Sequence, residues 1–153
     1  MENWQNKRVL VIGAARQGQA LARYLSANGA SVILNDKREE AQMQHEMQQL
    51  AQFNITWALG DHPVSLLDDV DLVCLSGGVP LTLPIIVEAQ NRGMQISNDS
   101  QIFMESVKAP VIAITGSAGK TTTTTLVGRM AKAAVGSDKK VWVGGNIGLP
   151  LIE

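Results

Sequence analysis

The chain has 153 residues, 45% of them hydrophobic and 18% charged, which gives room for one full core and part of a second. A formal net charge of -1 supplies no basic field for a phosphate polymer or an anionic membrane, so a nucleic-acid or membrane partner is not expected. A single cysteine, Cys74, excludes an internal disulfide, and its apolar neighbours suit a small packed side chain.

The first residues, Met1, Glu2, Asn3 and Trp4, lack the basic and apolar regions of a signal peptide, and no apolar run nears the roughly 20 residues that cross a bilayer. A cytoplasmic protein is expected. Short Val- and Ile-rich runs then alternate with helix-patterned segments, the signature of an α/β protein built of βαβ units around a parallel sheet. Strands are predicted at residues 8–12, 31–35, 55–58, 72–75, 94–97, 111–115 and 141–143. Helices are predicted at 17–27, stopped by Asn28 and Gly29, at 38–52 with Met43, Met47 and Leu50 as its apolar stripe, at 84–91, at 99–106 and at 122–134.

The first strand runs into Gly13-Ala14-Ala15-Arg16-Gln17-Gly18, a dinucleotide-type fingerprint with Ala15 in place of the middle glycine. Amides at the following helix N-terminus would face an anion. Asp36 ends the second strand, where such folds place an acid on a ribose or base, and Ser76-Gly77-Gly78-Val79-Pro80 follows the fourth strand on the same rim. On these residues alone, an NAD-binding dehydrogenase or sensor module remains an open reading.

A second glycine turn follows the linker Lys108-Ala109-Pro110. In Thr115-Gly116-Ser117-Ala118-Gly119-Lys120-Thr121-Thr122, a strand, a glycine loop, a lysine, a hydroxyl and a helix come in the order that cradles a triphosphate. Backbone amides would surround the phosphates of ATP, Lys120 would reach the outer ones, and Thr121 would ligate Mg²⁺. A P-loop kinase or GTPase with an unrelated first domain also fits this loop, although it leaves the later Gly145-Asn146-Ile147-Gly148-Leu149-Pro150 without a task.

That ATP loop, followed by the segment from Gly145 to Pro150, resembles the Mur ligase family, and the resemblance covers the whole chain. Within the family the members that add D-glutamate fit best, on the glycine turn at 13–18, on Asp36-Lys37-Arg38 and on the turn at 76–80. The resemblance implies a Rossmann-like parallel-sheet domain at 1–107 that binds UDP-sugar, followed at 108–153 by the truncated start of a P-loop ATPase domain. It further implies Arg16 and Gln17 near the diphosphate, Asp36, Lys37 and Arg38 at the uracil end, and Ser76, Gly77 and Gly78 on the diphosphate or sugar. Asn146 would contact substrate from the second domain. The expected substrates are UDP-N-acetylmuramoyl-L-alanine, D-glutamate and ATP with Mg²⁺, for an enzyme that is monomeric at full length and inactive as this piece alone. A sister ligase adding another amino acid is the remaining alternative.

Overall fold

The computed structural model describes residues 3–136, 139–145 and 150–152. Five parallel strands form one sheet: β1 (Arg8–Ile12), β2 (Ser31–Asp36), β3 (Ile55–Leu59), β4 (Leu72–Leu75) and β5 (Ile96–Asn98), in the order β3-β2-β1-β4-β5. β1 and β4 lie side by side, with Val9 opposite Leu72 and Ile12 opposite Leu75. The central strand is apolar on both faces, as a sheet covered on both sides requires. Val9 and Val11 face one way, and Leu10 and Ile12 the other, all at 0% exposure.

The helices divide between those faces. α1 (Arg16–Ala27), α2 (Glu40–Leu50) and α4 (Asp99–Ser106) cover the first through Leu21, Leu25, Met43, Leu50 and Ile102. α3 (Pro84–Asn91) covers the second through Ile85, Ile86 and Ala89, joined by Leu67 from a short 3-10 helix at Val64–Leu67. Right-handed crossovers produce this division: the chain winds outward from β1 through β2 to β3, returns to β4, and winds the other way to β5. Order therefore reverses between β1 and β4, which opens a crevice at their carboxyl ends.

Local chemistry fixes the helix ends. Glu39 and Gln42 form a reciprocal capping box on α2, Pro84 opens α3, and the Asn98 side chain accepts from the Gln101 amide at 2.9 Å to cap α4. α1 stops at Asn28, followed by Gly29 with φ +97°.

Two predicted strands are not present. Residues 111–115 and 141–143 join no sheet among the described residues. A strand exists through its ladder, and neither segment pairs with an edge of the five-stranded sheet; Ile112 and Trp142 stand 69% and 74% exposed. The helix expected after the second glycine turn does form, as α5 (Lys120–Val135). Gly128 is its one buried position among the described residues, covered by Val143.

Candidate functional site

The first glycine turn and the turn after β4 meet across the β1/β4 crevice. A methyl on Gly13 would stand 2.8 Å from Val79 Cγ2 and 3.0 Å from Ser76 Cβ, so a side chain there would push the two turns apart. A methyl on Gly18 would collide with the Gly13 carbonyl oxygen, because the first turn of α1 lies directly on the chain leaving β1. The first and third glycines of the fingerprint thus have steric causes. Ala15, in the middle position, is exposed and is the N-cap residue of α1 with φ -75°.

Asp36 holds this turn in shape. Its Oδ2 accepts from the Ala14 amide at 2.8 Å and from Arg38 Nη2 at 2.9 Å, and its Oδ1 from the Arg38 amide at 3.0 Å and Arg38 Nε at 2.9 Å. A carboxylate offers about four acceptor positions, and all of them are used. The Arg38 side-chain bonds hold the Asp36 carboxyl well below its usual range; burial opposes them, and the backbone amides of Arg38 and Ala14 reinforce them. Next to it, fully buried Asn35 donates from Nδ2 to the carbonyls of Ala58 and Asp61, each at 2.7 Å, anchoring the turn after β3.

Of the other predicted contacts, Arg16 and Lys37 are exposed on the rim, and the Gln17 side chain lies against Gly77. Gln17, Ser76, Gly77 and Gly78 border a cleft of about 660 Å³, whose far wall is residues 96–100 at the end of β5 and the start of α4. Ser76 and Ser97 are 5% and 4% exposed, and neither hydroxyl has a hydrogen-bond partner. Ser97, Asn98 and Asp99 are wall residues that the sequence did not single out for binding. The one signal the sequence carries there is a residue type suited to cap the predicted helix at 99–106, Asn98 or Asp99.

The second loop stands apart. None of its residues lines the cleft. Thr115, Gly116, Ser117, Ala118, Gly119, Lys120, Thr121 and Thr122 are all exposed. Gly119 precedes α5 in the left-handed conformation, φ 74°, with no side-chain cap, which leaves the first-turn amides open to an anion. The Lys120 ammonium donates to the Gly116 carbonyl and closes the loop on itself. Open amides, a lysine and the Thr121 hydroxyl are the donor set of a magnesium triphosphate. Among the described residues no cluster of three or more His, Cys, Asp or Glu adds a metal site. Asn146 lies outside the described residues.

Residues 7–98 match the family described as Mur ligase MurD-like, N-terminal domain. The chain belongs to this family. It is 43% identical over 148 residues to a UDP-N-acetylmuramoylalanine–D-glutamate ligase from Geotalea uraniireducens, covering 97% of the chain and 32% of that relative. A ligase of the same name from Alkaliphilus metalliredigens is 40% identical over 151 residues, with the same coverages. The chain thus spans about a third of the length of the curated relatives it matches. Among solved structures it resembles a UDP-N-acetylmuramate-alanine ligase from Thermotoga maritima, at 27% identity and TM-score 0.53, over 84% of this chain and 30% of that one. A pseudomurein peptide ligase type C from Methanothermus fervidus gives 28% and 0.54, over 84% and 26%. The Rossmann-like sheet expected from the sequence is therefore the family's own first domain. No described helix is long and apolar enough to cross a membrane.

Proposed function

We propose that this chain is part of an ATP-dependent ligase that joins D-glutamate to UDP-N-acetylmuramoyl-L-alanine. The observation that carries the reading is the presence, in one chain of the MurD-like family, of an open crevice at the β1/β4 switch point and of a second glycine loop whose Lys120 and Thr121 open a helix. A dehydrogenase has no use for the second loop, and a P-loop kinase has none for the crevice.

Under this reading residues 1–107 bind the UDP-sugar. Arg16, Gln17 and the turn at 76–78 hold the diphosphate, Lys37 and Arg38 meet the uracil end, and Asp36 sets the position of Arg38 and of the Ala14 amide. Residues 108–153 begin the ATP domain, with 115–122 around the phosphates and Asn146 on the substrate. The L-alanine carboxylate attacks the γ-phosphorus of ATP and ADP leaves. The D-glutamate amine then attacks the acyl phosphate carbon, forming the amide and releasing phosphate. Lys120 offsets charge that gathers on the transferring phosphoryl group. Mg²⁺ held at Thr121 would supply further charge neutralisation. The same reading has the full-length enzyme act on small molecules in the cytoplasm, as a monomer.

Amide NMR titration of the 153-residue chain tests the first step. UDP-N-acetylmuramoyl-L-alanine is expected to move Arg16, Gln17, Lys37, Arg38 and Gly77, and NAD to move none of them. Saturable NAD binding at the same turn without response to the UDP-sugar would replace the ligase reading by the dehydrogenase one. The chain by itself is expected to show no D-glutamate-dependent ATP turnover.

A further inference from the structure

The described residues between 108 and 145 are mostly exposed, apolar ones such as Ile112, Leu126, Met130 and Trp142 included. Residues 150–152 depart from this pattern. Pro150 is buried, and Ile152 is 7% exposed. Ile152 joins the core cluster against which Tyr24 and Phe53 pack, and lines with them a groove of about 380 Å³ along α1. We infer that residues 150–152 are an intramolecular strap, which brings the chain back to the five-stranded core after the second glycine loop and fastens it on α1 beside Tyr24. The inference does not depend on the ligase reading.

Tyr24 serves both attachments of the intervening chain. Its hydroxyl donates to Ser106 Oγ at 3.0 Å and so holds the last residue of α4, just before the linker at 108–110. Its ring lines the groove that receives Ile152. The chain thus leaves the core and returns to it at one place on α1. Between the two attachments, α5 is bound to the returning segment: a methyl on Gly128 would collide with Val143 Cγ2, so Val143 lies directly on the helix. The second glycine loop opens α5 and is therefore held from both sides. A strap of this kind limits how far that loop can move from the β1/β4 crevice.

The chemistry suits an attachment that can release. Pro150 has a fixed φ, which lowers the entropy cost of ordering the segment. Burial of one isoleucine then roughly offsets the ordering of its neighbours. Space remains in the groove beside Ile152, and such a gap forfeits dispersion contacts. All other buried residues of the two core clusters come from 4–102, so the strap can detach without opening the sheet.

Methyl–aromatic NOEs in the 153-residue chain test this. Contacts from the Ile152 methyls to the rings of Tyr24 and Phe53 are expected within one molecule. Ile152→Asp is expected to abolish them and to lower the amide order parameters of Val143 and Leu151 below about 0.6, while Leu21 and Leu25 keep about 0.85. Tyr24→Phe keeps the ring, and is expected to retain the Ile152 contacts while Val107 and Lys108 gain mobility. Absence of the contacts in the native chain, or equal order parameters at Val143 and Leu151 in the native and Ile152→Asp chains, would overturn the inference. Contacts found only between differently labelled copies would overturn it too, by making the segment an exchange between chains. So would unfolding of the sheet in Ile152→Asp, which would make Ile152 an integral part of the core.

Discussion

Asp36 spends its full acceptor capacity inside the protein, and stability should report this before binding does. Replacing it by alanine leaves the Ala14 and Arg38 amides without their partner, and an expected loss of roughly 2–3 kcal/mol in urea unfolding follows from orphaned donors at a nearly buried site. Its pH dependence has a definite sign. Because the folded carboxyl titrates below its usual value of 3.8, the stabilisation is complete above that pH and fades as the pH falls through the folded value. The stability difference between the native chain and Asp36→Asn should therefore be flat from pH 5 to 8, by order of magnitude from the carboxylate range, and should shrink under stronger acid. A difference that grows on acidification would contradict the role given to Asp36. Gly18→Ala should cost about 3 kcal/mol, since its methyl meets backbone rather than a side chain that can turn away. The spacing of Gly13 and Gly18 made their importance legible in the sequence. That Asp36 would be consumed within the protein was not, because the bond from the Ala14 amide joins the turn after β1 to the end of β2, and only the β1/β2 register brings them together. Ser97 was hidden for a similar reason: a serine at a strand end is unremarkable until the opposite wall is in place.

At the scale of elements, the first five strands and α1 through α4 follow from apolar period and punctuation. Pro84 and Asn98 fix the starts of α3 and α4 where the sequence places them. The 3-10 helix at Val64–Leu67 was not predicted; four residues are too few to carry a period. The strand expected at 111–115 shows the opposite limit. Its composition is that of a buried parallel strand, but composition cannot supply the neighbour a strand needs, and Val111 and Ile112 are exposed. α5 forms behind the glycine loop in spite of a run of five threonines in its first turns, residues that are poor helix formers. With little burial to hold it, α5 is expected to open locally. Its amides should exchange with solvent at least roughly 1,000-fold faster than those of Leu21 and Leu25 in α1, which open only with the whole domain. Equal protection in the two helices would mean that α5 is packed far better than its exposed Leu126 and Met130 indicate.

At the scale of the molecule, a buried core backs the first glycine loop while the second is exposed throughout, and function and stability should separate accordingly. Under the proposed function, Lys120→Ala in the full-length ligase is expected to lower turnover by on the order of 100- to 1,000-fold, as removal of a charge-stabilising donor does, while UDP-sugar binding to the first domain stays as it was. Stability should divide at the proposed boundary after residue 107. The two core clusters draw their buried residues from 4–102, with Ile152 as the exception, 7% exposed against the cluster that contains Tyr24 and Phe53. Burying an isoleucine yields about 1.5–3 kcal/mol, but ordering residues 150–152 costs about 1–2 kcal/mol for each backbone unit. The tail contact therefore contributes little net stability. A chain ending at Val107 should unfold in urea within about 1 kcal/mol of the 153-residue chain, because the gain and the cost nearly cancel. It should also retain the UDP-sugar response at Arg16, Gln17 and Gly77, since none of the residues lining the cleft lies beyond position 107. A large loss of stability on that truncation would show that residues 108–152 complete the first core, and the boundary would have to move.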